Sequence, residues 1–237
     1  MTTEETMTMD LEGKLIVVTG AFGALGSAVT LAAQVAGARV AAIDHAPSPG
    51  TALAAAELFG GVDLADTKAA GKAMERAAVA LGGIDGLVNV AGTFRWETLA
   101  DGSLDTWDLL YRINLRTAAA ASRAALPHLK RSAGGRIVNI GAGAAEHASA
   151  GMGAYAASKA GVARLTEALA AELKDARVTV NAVLPSIIDT PPNRADMPEA
   201  DFERWVKPNE LADVIVFLLS DRAIAVTGAL IPVNGRV

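Results

Sequence analysis

Short apolar runs alternate with stretches of helical spacing along almost the whole chain. The runs contain few polar positions, which is typical of strands buried on both faces of a parallel sheet. Between them, apolar residues recur every three or four positions, which predicts amphipathic helices. The predicted strands are residues 15–18, 39–43, 61–62, 86–90, 136–140, 178–184 and 229–233. The predicted helices are residues 27–36, 52–58, 68–81, 105–131, 154–174 and 210–219.

This alternation predicts the fold class, which is α/β: a single-domain, Rossmann-like, doubly wound parallel sheet of about seven strands with helices on both faces. We assign residues 11–237 to this domain, because a chain of 237 residues can build one large core and nothing in it demands a second. Residues 1–10 are polar and without a pattern, so we expect a disordered tail there. Residues 186–208 form a connection of unusual length, which is typical of a substrate loop or lid.

Composition and charge narrow the possible functions. The net charge is −5, so no nucleic-acid partner is expected. The chain has no cysteine, and His45 and His147 are isolated from other metal-type ligands, so we expect no metal site. No apolar run is long enough to span a membrane, and no basic segment followed by an apolar one stands at the start. These features predict a cytoplasmic protein that acts on a small-molecule substrate.

A glycine-rich turn follows the first predicted strand. Gly20, Gly23 and Gly26 stand where that strand ends and a helix begins. Such a turn aims free backbone amides and the positive end of a helix dipole at one point, which suits a pyrophosphate. Glycines are needed because a Cβ would keep the phosphates from close approach. The turn predicts dinucleotide binding, with a purely structural turn as the alternative.

Two acidic residues follow the next two predicted strands. Asp44 ends the second strand, at a place where an acid accepts hydrogen bonds from the adenosine ribose hydroxyls and repels a 2′-phosphate. Asp44 therefore favours NAD(H) over NADP(H), unless it is an ordinary turn-opening residue. Asp63 ends the third predicted strand, where it can cap the helix that begins near Thr67 or contact the adenine amino group.

Tyr155 and Lys159 are four residues apart on one predicted helix, so they share a face of it. An ammonium group near a phenol favours the phenolate and is expected to lower the tyrosine pKa from its usual value near 10. Such a tyrosine can exchange a proton with a substrate oxygen or nitrogen near neutral pH. The pair follows a glycine-rich loop at a strand end, which favours a catalytic role over a packed tyrosine beside a surface lysine.

These motifs resemble the short-chain dehydrogenase/reductase family over residues 11–235. The matching segments are TGAFGALG at 19–26, NVAG at 89–92, Asn114 within YRINLRT, YAASK at 155–159 and PSIIDT at 185–190. The resemblance implies that Tyr155 is the general acid/base, that Lys159 also binds the nicotinamide ribose, and that Asn114 holds a water in a proton relay. The expected cofactor contacts are Gly20, Phe22, Gly23, Leu25, Gly26, Asp44, Asp63, Leu64, Asn89, Ala91, Gly92, Ile140, Tyr155, Lys159, Pro185, Ile188 and Thr190.

Three positions depart from the pattern of that family. Ala142 stands 13 residues before Tyr155, where the family has a serine whose hydroxyl helps to hold the substrate carbonyl. Ala24 and Ser186 each replace a glycine. Loss of an oxyanion-type donor commonly costs about 10²-fold or more in rate. An ordinary ketone reductase should not tolerate this change easily, unless Ser149 reaches in from the loop.

The same departures, with residues 151–162 and 183–205, resemble the quinonoid dihydropteridine reductase branch of the family, which uses a Tyr/Lys pair without the serine. The sequence thus favours an NADH-dependent reductase that transfers hydride to a C=N or C=O group. One alternative is a general alcohol or 3-oxoacyl oxidoreductase. Another is a nucleotide-binding protein without activity, disabled at Ala142.

Substrate contacts and assembly are less specific predictions. The candidate substrate contacts are Ala142, Glu146, His147, Trp96 and Trp205. The resemblance implies a homodimer or homotetramer formed through the helices at residues 105–131 and 154–174, whose alanine-rich faces allow close packing.

Overall fold

The computed structural model describes residues 10–50, 53 and 56–237, so the predicted tail at residues 1–10 lies almost wholly outside the described residues. The strands in this part of the chain are β1 (Leu15–Thr19), β2 (Arg39–Ile43), β3 (Ala56–Phe59), β4 (Gly86–Asn89), β5 (Arg136–Ile140), β6 (Thr179–Pro185) and β7 (Leu230–Val233). They form one parallel sheet in the order β3-β2-β1-β4-β5-β6-β7. The order reverses between β1 and β4, which is the point where such sheets bind ligands.

Helices cover both faces of the sheet. They are α1 (Ala24–Val35), α2 (Thr67–Leu81), α3 (Leu104–Leu110), α4 (Thr117–Leu129), α5 (Gly153–Leu173), α6 (Pro191–Asp196) and α7 (Pro208–Leu219). α1 and α7 pack on one face over a core that includes Val18 and Ile215, and α2, α4 and α5 cover the other face around Met74 and Leu87. The predicted doubly wound α/β fold is therefore confirmed. Across residues 10–50, 53 and 56–237, no helix is both long and apolar enough to cross a membrane.

The turn between β1 and α1 depends on two glycines. Gly20 has φ of +62°, and a Cβ added to it would lie 2.6 Å from the Ala91 amide nitrogen. A Cβ added to Gly26 would lie 2.1 Å from the Gly20 carbonyl oxygen, so α1 can cross the turn closely only because Gly26 has no side chain. α1 begins at Ala24, three residues before the predicted start at 27.

The third strand and the helix before it differ from the prediction. β3 comprises Ala56–Phe59 rather than residues 61–62, and it pairs with β2 from Val40 opposite Ala56 to Ile43 opposite Phe59. Residues 56–58 are thus strand instead of helix, Leu53 is outside any helix, and the rest of the predicted helix at 52–58 lies outside the described residues. Pairing with β2 overrides the helical preference of this Ala, Glu and Leu sequence.

The long helix predicted at residues 105–131 is interrupted. A π-helical turn at Tyr111–Arg116 joins α3 to α4. Such turns occur often at functional sites, and this one carries Asn114. The predicted single helix is therefore two α-helices joined by a π-helical turn.

The connection after β6 is ordered and has secondary structure of its own. It contains α6 and a 3₁₀ turn at Phe202–Arg204, and an isolated parallel bridge joins Ile188 to Val206. Asp189 accepts a hydrogen bond from Arg194 Nη2 at 2.8 Å. These contacts order the segment internally, and the Arg236 amide, which follows β7, donates a hydrogen bond to the Arg204 carbonyl at 2.9 Å.

Candidate active site

A cavity of about 1640 Å³ opens at the carboxyl ends of β1, β2, β4, β5 and β6. Pockets for one drug-sized ligand measure about 300–1,000 Å³, so this cavity has room for a dinucleotide and a second molecule. All predicted cofactor contacts except Asn89 line it: Gly20, Phe22, Gly23, Leu25, Gly26, Asp44, Asp63, Leu64, Ala91, Gly92, Ile140, Tyr155, Lys159, Pro185, Ile188 and Thr190.

The Asp44 carboxylate is fixed at the rim of the cavity. One oxygen accepts a hydrogen bond from the Phe22 amide at 2.9 Å, and the other accepts one from the Ala46 amide at 2.9 Å. The first bond joins the carboxylate to the glycine turn. A fixed negative charge therefore lies beside the predicted phosphate site.

Asp63 does not cap a helix, so that part of the prediction is wrong. Asp66 caps α2 and accepts a hydrogen bond from the Ala69 amide at 2.9 Å. Asp63 instead accepts from the Ala65 amide at 2.9 Å and forms an ion pair with Arg112, whose position in the π-helical turn gave no signal in the sequence. Both members of the pair line the cavity.

Tyr155 and Lys159 extend from the first turns of α5 to the cavity. The Tyr155 ring makes an edge-to-face contact with Phe94, with ring centroids 4.9 Å apart. Lys159 Nζ lies 5.9 Å from the centroid of the Tyr155 ring and donates a hydrogen bond to the Ile140 carbonyl at 2.8 Å. β5 therefore fixes the position of the ammonium group beside the phenol.

The predicted lowering of the Tyr155 pKa is wrong for the protein alone. Burial raises the pKa of the Tyr155 phenol to about 12, because the charged phenolate loses its hydration. Burial also lowers the pKa of Lys159 to about 8, since an ammonium group is equally poorly solvated there. The desolvation of the phenolate outweighs the attraction of the neighbouring lysine.

Asn114 is held by a buried network next to the cavity. Its Nδ2 donates hydrogen bonds to the Thr93 carbonyl at 3.0 Å and to Ser158 Oγ at 2.9 Å, and its Oδ1 accepts from the Thr93 amide at 2.7 Å. Ser158 Oγ in turn donates to the Tyr155 carbonyl at 2.7 Å. Asn114 does not itself line the cavity, and Ser158, which lies within YAASK, is a link that the sequence reasoning missed.

Gly92 separates this network from the lysine. A Cβ added to Gly92 would lie 3.1 Å from Asn114 Oδ1 and 3.5 Å from Lys159 Nζ. The absence of a side chain at Gly92 therefore allows the amide and the ammonium group to lie close together.

Asn89 does not line the cavity and its side chain is buried, so a cofactor contact through its backbone stays a prediction. It is 4% exposed, and its Nδ2 donates to Asn139 Oδ1 at 2.8 Å and to Ser122 Oγ at 3.0 Å. Asn139 Nδ2 then donates to Thr166 Oγ1 at 2.9 Å. Asn89 is thus part of a buried hydrogen-bond network that joins β4 and β5 to α4 and α5.

Only Trp96 among the candidate substrate contacts lines the cavity. Ala142 is buried next to it, while Glu146 and His147 are exposed outside it. Trp205 is 4% exposed and packs on Phe202 with ring centroids 4.8 Å apart, so it anchors the loop. Ser149 is also exposed and does not line the cavity, so the structure gives no support to its replacing the missing serine hydroxyl.

The chain matches the short chain dehydrogenase family over residues 14–201, and it belongs to that family. It is therefore an oxidoreductase of the short-chain dehydrogenase/reductase class, whose members use a nicotinamide cofactor.

Particular relatives share nearly their whole length with this chain. The 3-oxoacyl-acyl-carrier-protein reductase FabG of Thermotoga maritima is 35% identical, over 96% of this chain and 98% of the relative. The D-threitol dehydrogenase of Mycolicibacterium smegmatis is 35% identical, over 95% of this chain and 93% of the relative. A short chain dehydrogenase from Burkholderia cenocepacia, solved in complex with NADP, has a TM-score of 0.87 and 34% identity, over 95% of this chain and 98% of that one.

These relatives change the balance between the predicted functions. They are named as a 3-oxoacyl-acyl-carrier-protein reductase and a D-threitol dehydrogenase, which fits the general alcohol or 3-oxoacyl alternative better than the dihydropteridine reductase resemblance. The solved relative holds NADP, so the predicted preference for NAD(H) has no support from it.

Proposed function

We propose that this protein transfers hydride between a nicotinamide cofactor and a carbon that alternates between carbonyl and alcohol. The observation that carries the proposal is the position of Tyr155 and Lys159, which line the same cavity as the glycine turn. Tyr155 donates its phenolic proton to the substrate oxygen during reduction and accepts it during alcohol oxidation. Lys159 remains mostly protonated at neutral pH, because its pKa is about 8.

The residues around the turn fit a dinucleotide. The backbone approaches of Gly20 and Gly26 leave no space for a Cβ but keep amide groups free at the start of α1, as a pyrophosphate requires. Asp44 would hold the adenosine ribose, and Ile188 and Thr190 would contact the nicotinamide side. When bound, the nicotinamide supplies or accepts the hydride.

A kinetic panel tests the proposal. The protein is assayed with NADH and NADPH against a 3-oxoacyl thioester, a simple ketone and quinonoid dihydropterin, and with the oxidised cofactors against a polyol. We expect turnover of at least one carbonyl or alcohol substrate. Cofactor binding without turnover of any member would support the non-catalytic alternative instead.

We also propose that NADH binds more tightly than NADPH. Asp44 is fixed by two amides, and the only cationic side chains among the described cavity-lining residues, apart from histidine, are Arg95, Arg112 and Lys159. Arg112 is paired with Asp63, and Lys159 lies beside Tyr155. The part of the cavity that would hold the adenosine ribose therefore presents the Asp44 carboxylate, and not a cation, to the 2′-phosphate of NADPH.

Replacing Asp44 by Ser should shift the ratio of NADH to NADPH affinity toward NADPH by about tenfold or more, since two charges 4 Å apart interact by about 4 kcal/mol near a protein surface before screening. Fluorescence titration of both cofactors measures the two Kd values. Glu146→Gln, which removes an exposed carboxylate outside the cavity, is the control. Equal affinities of the unchanged protein for the two cofactors would contradict the role of Asp44.

Reduction of a C=N group is a second candidate, and Ala142 favours it. A quinonoid dihydropterin already has a polarised, conjugated C=N system, so hydride transfer to it needs less help from a neutral hydroxyl donor. A simple ketone lacks this conjugated, polarised system, so it depends more on a hydroxyl donor. The absence of a hydroxyl at position 142 is thus expected for the first substrate and costly for the second.

Replacing Ala142 by Ser should separate the two candidates. A ketone reductase should gain about 10²-fold in kcat, because an oxyanion-type donor is restored, whereas a dihydropterin reductase should gain nothing. Steady-state kinetics with both substrates measures the change. Ser149→Ala should alter neither rate, since Ser149 lies outside the cavity; a large loss in that variant would mean that Ser149 already supplies the hydroxyl.

Assembly as a homodimer or homotetramer also belongs to this proposal. Leu104, Trp107 and Tyr111 expose 72%, 37% and 54% of their surfaces along α3 and the π-helical turn. These exposed apolar side chains lie at the start of the predicted helix 105–131, which is expected to pack against a second copy of the chain. Exposed apolar surface at this place supports such a contact.

A further inference from the structure

Three large apolar side chains are exposed where they line the cavity. Phe94 is 39% exposed, Trp96 is 62% exposed and Met197 is 36% exposed. Phe94 and Trp96 follow β4, and Met197 follows α6, so the three side chains come from two separate segments. An exposed group of large apolar side chains in a concave site marks a surface that binds an apolar ligand.

Trp96 is held in a fixed orientation. Its indole Nε1 donates a hydrogen bond to the Ala150 carbonyl at 3.0 Å, and the next residue, Glu97, donates its amide to the Gly151 carbonyl at 2.8 Å. The ring also lies against the Gly151 backbone, because a Cβ added there would be 2.2 Å from Trp96 Cε2. The indole is therefore an ordered surface whose remaining area is free to contact a ligand.

Phe94 places a second aromatic ring beside the reacting group. It meets the Tyr155 ring at an interplanar angle of 84°, with the centroids 4.9 Å apart. Phe94 therefore lies directly beside the ring that carries the reacting hydroxyl. The charged residues of this region, Arg95 and Asp196, have opposite signs, so they favour neither an anionic nor a cationic substrate.

Because position 142 has no hydroxyl, the substrate needs another contact that fixes its orientation, and this apolar surface can supply it. Correct orientation of the reacting atoms supplies a large share of an enzyme's rate enhancement, and the side chain of Ala142 makes no hydrogen bond to a substrate oxygen. Another part of the cavity must then limit the rotation of the substrate. Ring contacts have geometric preferences that can do this, because aromatic pairs favour offset-stacked or edge-to-face arrangements.

We propose that Phe94 and Trp96 are specificity-determining residues that form an aromatic subsite, and that the preferred substrates have a flat aromatic ring attached to the reacting carbonyl or carbinol carbon. This inference rests on the proposed function, because it concerns the substrate of the same site. It adds the chemical class of the group next to the reacting carbon.

Binding of two matched alcohols tests the subsite without requiring turnover. The probes are 1-phenylethanol and 1-cyclohexylethanol, which differ in having a flat or a puckered ring, titrated by calorimetry into the protein saturated with NADH and into the free protein. We expect about fivefold to tenfold tighter binding of the phenyl compound, because contacts between aromatic rings contribute affinity beyond the burial of area.

Variants at position 96 distinguish ring contacts from simple burial. Trp96→Leu keeps an apolar side chain and should reduce the phenyl preference to less than about twofold, whereas Trp96→Phe keeps a ring and should retain most of it. Phe94→Leu should also reduce the preference. Leu99→Ala, at a neighbouring side chain that is 74% exposed and outside the cavity, should leave it unchanged.

The possible outcomes separate the inference from the proposed function. Equal affinities for the two alcohols, or a phenyl preference that Trp96→Leu does not change, would overturn the aromatic subsite even if the protein is an active oxidoreductase. A protein that binds neither NADH nor NADPH would overturn the proposed function, while the titration of the free protein still decides whether the subsite prefers the ring.

Discussion

Replacement of Tyr155 by Phe should lower kcat by about 10³-fold while leaving the affinity for NADH within about twofold of the original. General acid/base catalysis contributes about 10²–10⁴-fold, and the variant removes only the phenolic oxygen. That hydroxyl makes no hydrogen bond to another residue that the structure describes, so its loss leaves no buried partner unpaired. Single-turnover reduction of the best substrate of the kinetic panel measures the rate.

Tyr111→Phe is the matched control, because Tyr111 is the other tyrosine of the chain, is 54% exposed and does not line the cavity. It should retain full activity. A Tyr155→Phe variant with more than about a tenth of the original kcat would contradict the assignment of Tyr155 as the proton donor.

The ionisation of Tyr155 gives a second measurement. Its pKa is raised to about 12 by burial, so in the free protein the phenol should remain neutral from pH 6 to pH 10. Oxidised nicotinamide is cationic, and a nearby positive charge lowers the pKa of a phenol. Ultraviolet difference titration against Tyr155→Phe should therefore give a lower pKa with NAD⁺ than without it. An unchanged pKa would indicate that the cofactor charge does not reach the phenol.

The main strands were predictable because a strand buried on both faces has to be a continuous apolar run. β1, β2 and β5 follow that rule, and their ends match the prediction closely. β3 does not follow it, since it lies at the edge of the sheet and two of its four residues are exposed. Its sequence favours a helix, and only the neighbouring strand explains why it is extended.

The positions of the site residues were easier to predict than their directions. Motifs at strand ends must meet at one edge of a parallel sheet, so most predicted cofactor contacts line one cavity. Asn89 ends β4 and Trp205 lies in the connection after β6, but both side chains make buried contacts instead of lining the cavity. Spacing along the sequence also carries no information on desolvation, which decides the pKa of Tyr155.

The turn between β1 and α1 is so tightly packed that a substitution of Gly26 should affect both protein stability and cofactor binding. Replacing Gly26 by Ala should destabilise the protein by about 3 kcal/mol or more, because the new Cβ would lie 2.1 Å from the Gly20 carbonyl oxygen and 2.6 Å from the Ala21 Cα. Backbone atoms cannot rotate away from such a contact, so β1 and α1 must separate. For a domain of this size the loss corresponds to a fall in Tm of about 6–12 °C.

Two other glycines provide controls within the same fold. A Cβ on Gly23, in the same turn, would meet only the Gly20 carbonyl oxygen at 3.6 Å, and a Cβ on Gly71, inside α2, would meet nothing within 4 Å. Gly23→Ala should therefore keep the original Tm, and Gly71→Ala should raise it slightly, because alanine favours a helix by about 1 kcal/mol over glycine. Thermal unfolding measures all three variants, and NADH titration should show the largest loss of affinity for Gly26→Ala. If Gly26→Ala unfolded at the same temperature as Gly23→Ala, the close crossing of α1 over the turn could not be what requires a glycine at position 26.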